Sequence, residues 1–266
     1  MEGVIPPLWA ALLGACVGSF TNVVVWRLPR DESVVFPGSH CPRCGHAIRW
    51  HDNLPLLGWL LLAGRCRDCQ APISWRYPAV EALSAALWLS ALAVAESGGG
   101  GLPLWLLPWA GLPLIALLLP LVLIDLDHLW LPEPLCRWGL VLGLVLSAAA
   151  GIPVLADHLI AACLALLLME SISALAERLL GQPALGLGDA KLAAMGGAWL
   201  GAAGIAAAMA LAIFAGALFG AAGRLSGRLQ PRQAFPFGPF IALGIWLVWL
   251  MGPLWWWQQW LHLLGL

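Results

Sequence analysis

Apolar positions along the chain gather into eight runs, at roughly 7–26, 78–95, 102–124, 135–152, 156–176, 189–201, 203–223 and 238–260. A helix needs about 20 mainly apolar residues to cross a hydrocarbon core, and most of these runs have that length. The sixth is short and rich in Gly and Ala. Small residues let helix backbones approach closely in lipid, so it reads as a tightly packed span, with seven spans as the other count. The polar positions concentrate in one stretch, residues 27–77. The pattern predicts an all-α, polytopic membrane protein in three parts: a first membrane helix (1–26), a soluble loop (27–77) and a membrane domain (78–266). The first run lacks a basic start and a small-residue cleavage pattern, and is expected to be a retained helix.

Composition agrees. Of 266 residues, 61% are hydrophobic and only 10% charged, against about 25% charged in an average soluble domain. The net charge of −1 gives no reason to expect a nucleic-acid partner; the expected surroundings are a lipid bilayer. Where the charges lie is more informative. Seven of the thirteen Lys and Arg fall from Arg27 to Arg76, and the others are Arg137, Arg178, Lys191, Arg224, Arg228 and Arg232. With eight spans all thirteen lie on one side, and the opposite loops, around Glu96–Gly101, Asp157 and Gly201–Gly204, carry none. The positive-inside rule makes the basic side cytoplasmic and puts both termini outside. Seven spans would place Arg224, Arg228 and Arg232 outside, so eight is the better reading. Most of the seventeen Trp lie near run ends, among them Trp105, Trp109, Trp255, Trp256 and Trp257, where amphipathic rings favour the interface. Residues Ser97–Gly101 read as a flexible outer linker.

The soluble loop holds two Cys-x-x-Cys pairs, Cys41 with Cys44 and Cys66 with Cys69, separated by 21 residues. Two such knuckles can set four thiolates tetrahedrally around zinc. Disulfides are the competing reading, but the charge map puts the loop in the reducing cytoplasm, where they are rare. A structural zinc ion is favoured, because four sulfur ligands leave no open position for chemistry. His40, His46 and His51 are possible substitute ligands, and Cys16, Cys136 and Cys163 read as small core residues.

Acids near apolar runs need a reason, because a charge at a membrane-helix centre costs roughly 2.5–3.5 kcal/mol on insertion scales. Asp125 ends the third run, and Asp189 begins the sixth inside GLGDAKL (Gly186–Leu192). Asp127 is two positions from Asp125, so on a helix it points elsewhere. By alternation of spans, Asp125 and Asp189 share one membrane depth at the cytoplasmic side. Two carboxylates sharing a proton can leave one ionised and one neutral; one then activates water while the other polarises a carbonyl. The plainer alternative is two solvated helix ends, or ion pairs with Lys191 or Arg137. No HExxH or GxSxG signature occurs.

The chain resembles the type IV prepilin peptidases, the GxGD class of intramembrane aspartyl proteases. The resemblance covers nearly the full length. It rests on Asp125 with Pro132 seven residues on, GLGDAKL, GSFTNVVVWRLP (Gly18–Pro29), the Cys pairs, the stretch Asp52–Leu83, and FPFGPFIALG (Phe235–Gly244). Thr21 stands where a larger apolar residue is usual, and Glu133 where Asp is usual.

The resemblance implies cleavage of the leader from type IV prepilin or pseudopilin precursors at the cytoplasmic face of a bacterial inner membrane. Asp125 and Asp189 would be the catalytic pair, with Gly186, Gly188 and Lys191 in the motif around the second. The glycines would let substrate backbone approach the acid, or simply break the helix. Members with the Cys-bearing loop also methylate the new N-terminus from S-adenosylmethionine. That activity would belong to Arg27–Glu81, with Asp52, Asn53, Arg76 and Glu81 as candidate contacts. A transporter relaying protons through the acids, or a zinc-knuckle scaffold without activity, are the competing classes. Apart from Glu170 the apolar runs are nearly free of charge, and no repeat is visible.

Overall fold

The computed structural model describes residues 7–97, 107–181, 186–230, 233 and 235–263. Trp105, Arg232 and most of the Ser97–Gly101 linker lie outside the described residues. Among the described residues the chain is all-α, with two isolated β-bridges and no strand. It divides into two compact units, Met1–Ala93 and Val94–Leu266.

The first unit contains α1 (Pro7–Arg27), the short α2 (Leu57–Leu61) and most of α3 (Arg76–Ser97). Gly14 and Gly18 let α1 lie against α3: a Cβ on Gly14 would sit 2.9 Å from Ala85 Cα, and one on Gly18 2.7 Å from Glu81 Cα. This is the small-residue contact that replaces hydrophobic driving force inside a bilayer. Arg27 is buried at the end of α1 and donates to the Ser33 and Gly38 carbonyls at 2.9 and 3.2 Å. It ties the start of the soluble loop to the membrane helix.

The second unit holds α4 (Leu107–His128), α5 (Glu133–Ala150), α6 (Ile152–Leu180), α7 (Leu187–Leu225), α8 (Gly238–Met251) and α9 (Pro253–Leu263). Its hub is α7, which packs on α5, α6, α8 and α9. The Gly- and Ala-rich run at its start is the most buried part of the molecule, Leu192, Ala193, Met195 and Ala198 having no exposed surface. A Cβ on Gly197 would meet the Ala161–Ala162 backbone at 2.7–2.8 Å, so α6 and α7 touch main chain to main chain.

The sixth and seventh runs are one continuous α7 broken at Gly201, whose φ of 68° and ψ of −177° are non-helical. The break frees backbone groups, and α6 supplies their partners. His158 Nδ1 lies 2.9 Å from the Ala198 carbonyl, and the Ala202 N–H donates to Asp157 Oδ2 at 3.2 Å. The last run, expected as one span over 238–260, is instead bent by 98° between α8 and α9. Gly252, at φ 80°, ends α8, and Pro253 cannot continue it.

Six described helices are long and apolar enough to cross a membrane, and the bent pair makes up to seven. The protein is a multi-pass membrane protein. Of the three lone cysteines only Cys136 is buried; Cys16 and Cys163 are exposed on their helices, because they fall on outward faces of α1 and α6 rather than in the core.

Candidate active site and metal centre

In the second unit, the last turn of α4 carries Asp125 inward and Asp127 outward: Asp125 is 5% exposed, while Asp127 is on the open face. Leu129 then turns the chain with a positive φ of 52°, its N–H donating to the Asp125 carbonyl at 2.9 Å. Buried carboxylates need donors, and Asp125 has one from far along the chain. The Gly238 N–H donates to its Oδ2 at 3.0 Å. Gly238 opens α8, where N–H groups have no partner inside the helix and the helix dipole favours negative charge.

Asp189 lies in the first turn of α7. The Gly186 N–H donates to Asp189 Oδ2 at 3.3 Å, and the Asp189 N–H donates to the Gly186 carbonyl at 3.0 Å. The acid therefore caps its own helix. Each of the two carboxylates thus has one oxygen on a backbone N–H.

Leu131 lies between the two backbones. Its Cβ is 2.9 Å from where a Cβ on Gly188 would stand, and its Cδ2 is 3.2 Å from the same point on Gly238. The space opposite Gly188 is filled by this side chain. Lys191 donates to Glu133 Oε2 at 2.8 Å. Both of these side chains are well exposed, so the pair contributes little, in the range of 0–1 kcal/mol for surface pairs.

In the first unit the two Cys pairs form matching knuckles. The Cys41 N–H donates to the His46 carbonyl at 2.9 Å, and the Cys66 N–H to the Ala71 carbonyl at 2.8 Å. The four sulfurs of Cys41, Cys44, Cys66 and Cys69 lie within 4.8 Å of one another, Cys41 and Cys69 at 3.8 Å. A regular tetrahedron with Zn–S bonds of roughly 2.3 Å has edges of about 3.8 Å, so this cluster can hold a zinc ion. Backbone N–H groups of Cys44 and Arg43 pull the Cys41 thiol down to about 6. Cys44, despite a lowering bond from the His46 backbone, is pushed up to about 12 by burial and the neighbouring thiols. His40, His46 and His51 stand outside the cluster, beside the Gly38 carbonyl, Asp68 and Asp52 respectively.

The other loop candidates are spread out. Both Asp52 oxygens accept from Arg67, at 2.8 and 2.6 Å. This guanidinium holds the Asp52 carboxyl below its ordinary value. The Asn53 N–H donates to the Arg49 carbonyl at 3.1 Å, and Arg76 begins α3. Glu81 is buried on α3 and accepts from the Leu56 N–H at 2.7 Å. Leu56 is held at a positive φ of 63° to make that bond.

The sequence did not mark Leu131, nor Gly238 as the partner of Asp125. The available signal was Pro239, which suits the first turn of a helix and so marks free N–H groups beside it.

No solved structure matches the chain. The bacterial peptidase A24 N-terminal domain matches residues 12–95, and the type IV leader peptidase family matches residues 112–221. The chain is 39% identical over 246 residues to a prepilin leader peptidase/N-methyltransferase of Myxococcus xanthus (strain DK1622), covering 90% of this chain and 71% of that one. It is 36% identical to one of the same description from Aeromonas hydrophila, covering 91% and 89%. It is 37% identical to a type 4 prepilin-like proteins leader peptide-processing enzyme of Escherichia coli O78:H11, covering 90% and 91%. With likeness of this extent along both units, the chain belongs to the type IV leader peptidase family.

Proposed function

We propose that this protein cuts the leader from type IV prepilins and pseudopilins with Asp125 and Asp189, then methylates the new N-terminus from S-adenosylmethionine. The observation that supports the reading is that one side chain, Leu131, packs both on Gly188, which precedes Asp189, and on Gly238, which donates to Asp125. The ionised carboxylate takes a proton from water, whose oxygen attacks the scissile carbonyl carbon, while the protonated carboxyl gives its proton to the carbonyl oxygen. Collapse of the tetrahedral intermediate breaks the C–N bond, and the leaving amine takes up a proton. Gly238 and Gly186 each occupy Oδ2 of their acid, which leaves the other oxygen for water and substrate.

The setting is the bacterial inner membrane, with the acids at the cytoplasmic face. The basic residues support that side. Eight crossings follow if α7 counts as two spans divided at Gly201 and the bent α8–α9 pair as one. Zinc on Cys41, Cys44, Cys66 and Cys69 has no open position, so its role is to brace a loop with little core of its own.

S-adenosylmethionine, when bound, supplies a methyl group from its sulfonium. The residues of the first unit fit a partner for the amine that accepts it in one respect: Glu81 is a buried carboxylate able to receive an ammonium proton. Asn53 and Arg76 are further contacts, while Asp52, held on both oxygens by Arg67, braces the loop.

Co-expression with a type IV prepilin tests the peptidase. Asp125→Asn and Asp189→Asn should each leave the precursor uncut while the protein still inserts, and cleavage by either variant would overturn the assignment.

A further inference from the structure

The geometry points to Leu131 as the positioning residue that sets the spacing of Asp125 and Asp189. This inference rests on the two-acid reading and goes beyond it by naming what keeps the acids in register. Leu131 is 7% exposed and follows directly on the turn that Leu129 makes at the end of α4. Its side chain reaches two backbones at once, at Gly188 on α7 and Gly238 on α8. Gly188 immediately precedes Asp189, and Gly238 carries the N–H that holds Asp125 Oδ2. A Cβ at Gly188 would stand 2.9 Å from Leu131 Cβ, and one at Gly238 2.7 Å from Asp125 Oδ2 and 3.2 Å from Leu131 Cδ2. Leu131 is therefore a wedge between the chain segment that bears one acid and the segment that fixes the other.

A spacer acts on reactivity without touching substrate. Misplacement of reacting groups by about 1 Å can cost roughly 10²-fold in rate. It also changes how strongly two carboxylates feel each other, because their coupling falls with distance. Removing the wedge should therefore alter both the rate and the two limbs of the pH profile. Glu133, Lys191 and Asp189 are the charges that act on Cys136 of α5. The first two pair with each other across α5 and α7. α8 contributes none among Gly238–Met251.

The experiment uses the purified full-length protein in lipid, with a type IV prepilin as substrate, and compares Leu131→Ala, Leu131→Ile, Gly188→Ala and the double variant Leu131→Ala/Gly188→Ala. Leu131→Ala should lower kcat about 10²-fold with KM little changed, and should spread the two limbs of the bell-shaped kcat profile further apart, because without the wedge the acids approach and couple more strongly. Leu131→Ile, nearly equal in volume, should restore most of kcat and the parental profile. Gly188→Ala should be impaired both alone and combined with Leu131→Ala, because the nearest atom, Leu131 Cβ at 2.9 Å, is kept in alanine. Parental kcat and pH profile in Leu131→Ala would overturn the proposal, and so would a loss confined to KM. Asp125→Asn and Asp189→Asn run alongside separate the two levels. If they retain cleavage, the two-acid reading fails; if they are inactive while Leu131→Ala is unaffected, only the wedge fails.

Discussion

The Gly238 N–H and Asp125 Oδ2 are hydrogen-bonded at 3.0 Å across 113 positions of sequence. One helix thus ends on a buried carboxylate, and another begins by donating to it. The contact also explains why residue 238 has no side chain, because a Cβ there would stand 2.7 Å from the same oxygen. Gly238→Ala should therefore displace Asp125 and reduce leader cleavage by roughly 10²-fold, in a protein that still inserts and binds zinc. The check is initial rate on a prepilin, normalised to zinc content.

Zinc content itself should depend on pH with a definite sign. Metal binding needs thiolates and releases protons. The Cys41 thiol, at about 6, ionises readily, while Cys44, at about 12 without metal, must lose its proton to the ion. Zinc should be retained at neutral pH and released as pH falls. Cys41→Ser with Cys44→Ser should abolish it at every pH. Elemental analysis of the dialysed protein reads both outcomes.

Asp52 gives a second pH dependence. Its folded-state value is lowered by Arg67, so the stabilisation is fully present above the ordinary carboxylate value of about 3.9 and is lost as pH falls through the lower folded value. Asp52→Asn should lower the Tm of the protein by a constant amount near neutrality, and the gap from the parent should close in acid. Thermal melts across pH measure the difference.

Gly201 should tolerate no side chain. Its φ of 68° with ψ of −177° is a conformation open mainly to glycine, and a Cβ would run into the Asp157 carboxylate. Gly201→Ala should cost on the order of 1–3 kcal/mol, read as a fall in Tm. Asp157→Ala should cost less, because the Ala202 N–H it would free is exposed.

The helices were legible because membrane spans are written in long apolar runs, and the break in α7 fell where the sequence placed its gap between 201 and 203. The bend at Gly252 was less so: both sides of it are apolar, and hydropathy carries no direction. The four cysteines were readable from spacing alone, since a knuckle is a local structure. Asp125 and Asp189 stood out as costly acids beside apolar runs. Their supports did not: Leu131 is an ordinary leucine in sequence, and its role depends on two glycines 57 and 107 positions away in chains of other helices. The space at Gly188, expected to admit substrate backbone, is occupied by that leucine.

The most direct measurement gives purified Asp189→Asn, in lipid, two substrates: an intact prepilin, and a pilin already cleaved at its leader together with labelled S-adenosylmethionine. The account predicts that the precursor stays uncut while label still reaches the free N-terminus of the cleaved pilin. Cleavage of the precursor at the parental rate by this variant would contradict it.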